Sequence, residues 1–195
     1  MKELFEKIWI LSLPYQDKRD DESHAETVLH YALELVKLEN ADEDIVIPAA
    51  ILHDIGWSQV SKEESLKIFS GKTKEEERVN IQRKHEEAGV KLAKQILEKM
   101  NCNTEAINEI LEIISQHDTR NGFISKNEGI MRDADKLWRF SKKGFWTDVK
   151  RGNRTPKERY EMLMEKIDSP NFFYSDSAKK IARKELERRR SEFIL

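Results

Sequence analysis

The reading of this chain turns on the stretch Asp42-Glu43-Asp44-Ile45-Val46-Ile47-Pro48-Ala49-Ala50-Ile51-Leu52-His53-Asp54-Ile55-Gly56. Seven aliphatic residues between Ile45 and Leu52 make it apolar nearly all round, which predicts a short helix over Asp42–Asp54 buried at the centre of a helical protein. Pro48 is compatible with that helix only in its first turn, and Gly56 supplies a stop. The helix ends on two polar side chains, His53 and Asp54. An unpartnered aspartate after such an apolar run would be costly to bury, so the pair calls for a partner.

On either side the pattern is helical. Met1–Leu13 mixes Lys2, Glu3, Glu6 and Lys7 with Leu4, Phe5, Ile8, Trp9 and Leu11, an amphipathic helix ending near Pro14. Ser23–Leu38 carries Ala25, Val28, Leu29, Ala32, Leu33 and Val36 at helical spacing. Ser61-Lys62-Glu63-Glu64 reads as a capping box, and Gly71 with Lys72 as a turn. Helices are then expected over Thr73–Met100, after a cap at Asn103 or Thr104 with Ile107, Ile110, Leu111 and Ile114 as its stripe, and over Asn127–Phe140. Asn121-Gly122 marks a turn between the last two. Gly144–Asn153 reads as an irregular aromatic and basic segment. Thr155-Pro156-Lys157-Glu158 is a helix start, and Asp176–Phe193 a closing helix. No strand pair, repeat or low-complexity tract is visible. The expected class is all-α.

Composition narrows the function. The 195 residues suit one domain, 1–195, with a core over about 20–140 and a helical extension over about 150–195. Charged residues make up 37%, but 35 basic against 37 acidic leave a net charge of -2, so no overall field argues for nucleic acid or an anionic membrane. The single cysteine, Cys102, excludes an internal disulfide and a cysteine-based zinc site, and fits a reducing cytoplasm. The start lacks the basic-then-apolar order of an export signal, and no run of about 18 apolar residues offers a membrane span. An apolar helix face serves a homodimer as readily as a core, which leaves a dimer open.

Four of the five histidines, His24, His53, His85 and His117, lie beside helical stretches, and Asp133-Ala134-Asp135-Lys136-Leu137 follows. Imidazole with carboxylate suits zinc, iron, manganese and similar ions. His53 and Asp54 point about 100° apart on a helix, so they share an ion only at a helix end. Asp54 has two oxygens and can bridge two ions. His24 from the preceding helix and an aspartate from a later one complete a first site, while His85 and His117 are placed to hold a second ion about 3.5–4 Å from the first. Asp133 and Asp135 both remain candidates at this point. His30, six residues after His24, faces another side and is read as structural.

These pieces, Ser23-His24-Ala25, Leu52-His53-Asp54-Ile55-Gly56, Lys84-His85-Glu86, Gln116-His117-Asp118 and Asp133-Ala134-Asp135-Lys136, together resemble the HD-domain superfamily of metal-dependent phosphohydrolases over His24–Trp138. The resemblance implies an HD-type helical bundle with additional C-terminal helices. It implies a metal held by His24, His53, Asp54 and Asp135, and a second held by Asp54, His85 and His117. It favours Asp135 over Asp133. The ions would be divalent, one or two of Mn, Fe, Mg, Ni, Co or Zn per chain. Metal-activated water would attack a phosphoester of a small nucleotide or related metabolite, with Asp54 and Lys136 as catalytic residues and Lys136 neutralising phosphate charge.

Departures narrow the choice within the superfamily. Ile55-Gly56-Trp57-Ser58 lacks the acidic residues of the relatives that hydrolyse guanosine stringent-response nucleotides, and the glutamate that helical 5'-nucleotidases use. No Gly-Tyr-Pro triplet points to cyclic-di-GMP, and Asp118 stands where a third ion would need a histidine. The same ligand order occurs in HD-type di-iron oxygenases, and a non-catalytic metal-organised nucleotide-binding module is the third reading. Trp57, Trp138 and Trp146 read as packing, with stacking on a nucleobase as the alternative. Arg132, Arg139, Lys142 and Lys143 read as a solvated face or an anion-attracting rim. Arg188-Arg189-Arg190 reads as solvated or paired with nearby glutamates.

Overall fold

The computed structural model describes residues 1–18, 21–68, 73–152 and 154–193. Among them are ten α-helices, two 3-10 helices and no strand: α1 Glu3–Ser12, α2 His24–Glu39, α3 Glu43–Leu52, α4 Lys62–Lys67, α5 Glu75–Lys99, α6 Thr104–Ser115, α7 Lys126–Trp138, α8 Lys142–Arg151, α9 Pro156–Ile167 and α10 Asp176–Phe193, with the 3-10 turns at Leu13–Tyr15 and Ile55–Gln59. The all-α class expected from periodicity is the class observed. The turn expected at Gly71-Lys72 lies outside the described residues.

Helix α3 is the hub. Every residue from Ile45 to Leu52 is buried, because α1, α2, α6 and α7 pack around it. The Asp42 carboxylate caps it by accepting from Asp44 N at 2.9 Å. Pro48 lies in the second turn rather than the first. The carbonyl its ring deprives of an N–H is that of Asp44, an exposed residue, so water can satisfy it. Gly56 is not the helix stop either. Helix α3 closes at Leu52, and Gly56 sits in the following 3-10 turn with negative φ. A Cβ there would stand 1.9 Å from the His85 carbonyl oxygen and 2.5 Å from Gly89 N, so glycine lets this turn lie directly on α5.

Two further local findings shape the frame. Of the Gly144–Asn153 segment read as irregular, Gly144–Arg151 belongs to helix α8, Lys142–Arg151, capped by Ser141 Oγ accepting from Gly144 N at 3.1 Å, and Asn153 lies outside the described residues. Its aromatics give it a buried face: Phe145 is in the core, and Trp146 Nε1 donates to Glu192 Oε2 at 2.8 Å, tying α8 to α10. Two glycines and several basic residues hid that face from a propensity argument. The Thr155–Glu158 capping box forms as expected, whereas at Ser61 the described contacts are the hydroxyl accepting from Glu64 N at 3.2 Å and donating to Glu64 Oε2 at 3.1 Å.

Candidate metal centre

Five helices or their ends bring six side chains to one buried point. His24 is the first residue of α2. Asp17 holds that helix start, its carboxylate accepting from Ser23 N at 3.1 Å and Ala25 N at 3.3 Å while Ser23 takes a left-handed φ of 67°. His53 and Asp54 follow α3, His85 lies in α5, His117 follows α6 and Asp135 is in α7. His24 Nε2 stands 3.2 Å from His53 Nε2, and Asp135 Oδ1 lies 3.4 Å from the first and 3.6 Å from the second. On the other side, His85 Nε2 and His117 Nε2 are 3.3 Å apart.

Asp54 stands between the two pairs. Its Oδ2 is 3.2 Å from His24 Nε2 and 3.6 Å from His53 Nε2, while its Oδ1 is 3.7 Å from His85 Nε2 and 3.4 Å from His117 Nε2. Two ligand triads therefore share one carboxylate: His24, His53 and Asp54, and Asp54, His85 and His117. Ligand atoms about 2.1 Å from a common ion are about 3.0–3.4 Å apart at octahedral to tetrahedral angles, and these separations fall at or just beyond that range.

The protonation pattern fits a cation as well. His53 Nδ1 donates to Ala50 O at 2.8 Å, and His117 Nδ1 to Ile114 O at 2.9 Å. Each bond fixes the proton on Nδ1 and turns the Nε2 lone pair of the neutral ring toward the cluster. Lone pairs and carboxylates facing each other repel unless a positive charge lies between them. In the metal-free protein that charge is a proton. Burial opposes protonation of His117, but the hydrogen bond to Asp54 and the charge of Asp118 outweigh it and lift its pKa to about 10. Burial likewise opposes a charged His53, and Asp54 and Asp135 outweigh it, so that pKa also rises. Asp135 is held well below the usual carboxylate range: burial works against its charge, and His53 and His24 more than compensate. The donor set fits a divalent metal site.

Around this cluster lie groups that orient it. Trp57, 2% exposed, stacks on the His85 ring at 4.0 Å between centroids and donates from Nε1 to Asp54 Oδ1 at 3.0 Å. Trp138, 4% exposed, meets His24 in a T-shaped contact with 5.0 Å between ring centroids. Both indoles are buried, and Trp146 is engaged with Glu192. The buried Glu86 carboxylate accepts from Asp118 N at 3.0 Å, Thr119 N at 3.1 Å and Thr119 Oγ1 at 2.8 Å, fixing the turn that carries His117. Asp118, read only as a departure from the superfamily pattern, brings Oδ2 to 3.6 Å from His85 Nε2. Its position beside His117 repeats the His53-Asp54 pairing, a signal present in the sequence.

The two aspartates of α7 are separated by the fold. Asp133 is fully buried away from the cluster and accepts from Tyr174 N at 2.7 Å, Ser175 N at 2.8 Å and Ser175 Oγ at 2.7 Å, docking the start of α10. Lys136 donates to the Phe172 carbonyl and lies over the Phe123 and Phe172 rings, and burial followed by the charge of Arg132 lowers its pKa to about 8. Arg132 is no solvated rim residue. It is buried and donates to Gly122 O at 2.5 Å and Arg120 O at 3.0 Å. Lys143 donates to Ser23 Oγ at 2.5 Å, and Lys142 is exposed. His30 is exposed, and Arg188, Arg189 and Arg190 pair with Glu185, Glu192 and Glu187.

Two cavities open on the centre. One of about 150 Å³ reaches His24, Asp54 and Trp138, and a second of about 240 Å³ reaches His117 and Lys136. Arg78, Asp118, Asp135 and Arg139 border both. No helix among the described residues is long and apolar enough to cross a membrane.

Comparison with known proteins agrees with this picture. The crystal structure at 1.45 Å resolution of a predicted HD superfamily hydrolase from an uncultured Thermotogales bacterium superposes with a TM-score of 0.62 at 22% identity, covering 98% of this chain and 87% of that one. The likeness is one of fold. No curated protein matches the sequence. The HD domain family model matches residues 22–139, more than half of the chain and the whole stretch that carries the six converging side chains, so this protein belongs to the HD-domain family.

Proposed function

We propose that this protein is a metal-dependent phosphohydrolase acting on a small phosphorylated metabolite, with nucleotides as the leading class. The observation that carries the reading is Asp54, whose two oxygens each face a separate histidine pair. A carboxylate so shared is the arrangement expected of two neighbouring divalent ions. His24, His53, Asp54 and Asp135 would hold one, and Asp54, His85 and His117, with Asp118 in reach, the other. Bound there, such ions supply Lewis acidity and lower the pKa of water.

The chain's own residues account for the rest of the chemistry. His53 and His117 are locked by their Nδ1 bonds to backbone carbonyls, so ligand geometry is set before substrate arrives. Trp57 holds Asp54 Oδ1. Arg139 borders both cavities and Lys136 the larger one, positioned to neutralise the charge of a phosphate. The deep burial of the histidines keeps bulk water from competing with these groups.

The test is phosphate release from a panel of phosphomonoesters, phosphodiesters and pyrophosphates, with protein loaded in turn with manganese, iron, cobalt, nickel, magnesium or zinc. Activity that Asp54→Ala abolishes supports the reading. No release under any loading, with oxygen consumed by the iron form, would instead make it a di-iron oxygenase. Tight nucleotide binding without either reaction would make it a binding module.

A further inference from the structure

The larger cavity is only partly built by the residues that the HD domain model matches. The HD match ends at residue 139, yet Arg159, Met162, Leu163 and Lys166 of α9, and Phe172 after it, form one wall of the cavity that opens on His117, Asp118 and Asp135. The C-terminal helices thus reach the metal centre as part of its binding surface. Helix α9 is held there by its capping box and by Arg159 pairing with Asp148 of α8.

The lining carries an excess of positive charge. Six cations border the cavity: Arg78, Arg132, Lys136, Arg139, Arg159 and Lys166. Its two acids, Asp118 and Asp135, lie at the metal end. Arg132 is committed to backbone carbonyls and Glu128, Arg159 to Asp148, and Arg78 to Glu75. Lys166 Nζ lies 5.6 Å from the centre of the Phe172 ring, and neither it nor Arg139 forms a salt bridge with an acid among the described residues. Lys166 feels the imbalance: burial lowers its pKa, and the charges of Arg139, Arg159, Arg78 and Arg154 lower it further. Folding brings these like charges together at a cost, and an anion between them would offset it. Since about 10–15 Å³ suffices for one water, a cavity of about 240 Å³ has room for a phosphate group.

We infer that Arg139 and Lys166, with Lys136 beside them spending one N–H on the Phe172 carbonyl, form a second anion subsite, and that the substrate is a small molecule carrying two or more phosphate groups, one at the His/Asp cluster and another against α9. The identity of the scissile group rests on the hydrolase reading above. The subsite itself does not.

The test uses inorganic pyrophosphate and inorganic phosphate as probes, titrated calorimetrically into the metal-free protein. Variants are Lys166→Ala, the charge-preserving Lys166→Arg, and Lys99→Ala as a control about 21 Å along α5 from His85. Pyrophosphate is expected to bind at least tenfold tighter than phosphate. Lys166→Ala should weaken pyrophosphate binding at least fivefold, Lys166→Arg should restore most of it, and Lys99→Ala should leave it unchanged. Equal affinities for the two probes, or a Lys166→Ala variant with wild-type pyrophosphate binding, would overturn the subsite. Phosphoester turnover by the metal-loaded protein separates the two ideas. Turnover with a neutral Lys166→Ala sinks the subsite and keeps the hydrolase. A pyrophosphate site without turnover of any phosphoester does the reverse.

Discussion

Replacing Gly56 by alanine tests how the centre is assembled. The added Cβ would lie 1.9 Å from the His85 carbonyl oxygen, 2.5 Å from Gly89 N and 2.9 Å from Gly89 Cα, all backbone atoms of one helix that cannot rotate away. An ordinary carbon–oxygen contact is about 3.4 Å, so the 3-10 turn at Ile55–Gln59 and α5 must separate by about 1.5 Å. His53 and Asp54 lead directly into that turn, and the clashing carbonyl belongs to His85. The strain therefore falls between Asp54 and the pair His85 and His117, whereas metal sites tolerate about 0.2 Å in ligand distance. Overpacking against backbone costs about 3 kcal/mol, a fall in Tm of roughly 6–12 °C for a chain of this size. Metal analysis of purified protein, with a thermal melt, reads both effects. Two ions per chain in the wild type should fall to one, that of His24, His53, Asp54 and Asp135. A Gly56→Ala protein keeping two ions and melting within about 1 °C of wild type would refute the reasoning.

Three further outcomes are expected. Asp133→Asn sets an amide against the donors at Tyr174 and Ser175, so it should cost about 2–3 kcal/mol and leave metal content intact, whereas Asp135→Asn should release the first ion. Thermal melts and metal analysis on both separate the roles, and metal loss on Asp133→Asn would reverse them. Trp57→Phe keeps a ring over His85 but removes the N–H to Asp54 Oδ1, and should weaken second-ion binding by roughly 10–100-fold, measured by chelator competition; unchanged affinity would mean the indole N–H does not orient Asp54. Finally, His117 titrates near pH 10 in the folded metal-free protein against 6.5 as its ordinary value. That raised pKa stabilises the metal-free fold below pH 6.5, and the benefit is lost as pH climbs toward 10. The Tm gain on metal loading should therefore grow from pH 6.5 to 9.5, and loading at pH 7.5 should release at least one proton per chain, seen calorimetrically in buffers of different ionisation enthalpy. Absence of proton release would show that His117 is neutral before metal arrives.

Much of this molecule is local in origin. The buried character of α3 follows from seven aliphatic residues broken only by Pro48, and the Thr155–Glu158 cap and the αL turn at Gly122 follow from a few neighbouring residues. Helical periodicity and caps act within a few residues of the chain, so they are readable in order along it. The types and sequence of the histidines are likewise local information, enough to suggest a metal centre and the superfamily it resembles. What tertiary structure decided is which groups meet. It turned Asp133 toward Ser175 and Asp135 toward His24 from the same helix. It made Gly56 a point of contact between two segments instead of a helix stop, and Trp57 a donor to Asp54. It folded Lys142–Arg151 as a helix because Phe145 and Trp146 find partners on α10 and the core. It brought Lys166 from beyond the family's boundary to the cavity beside the centre. These outcomes depend on distances between segments far apart in the chain, and propensity and spacing carry no information about them until the helices pack.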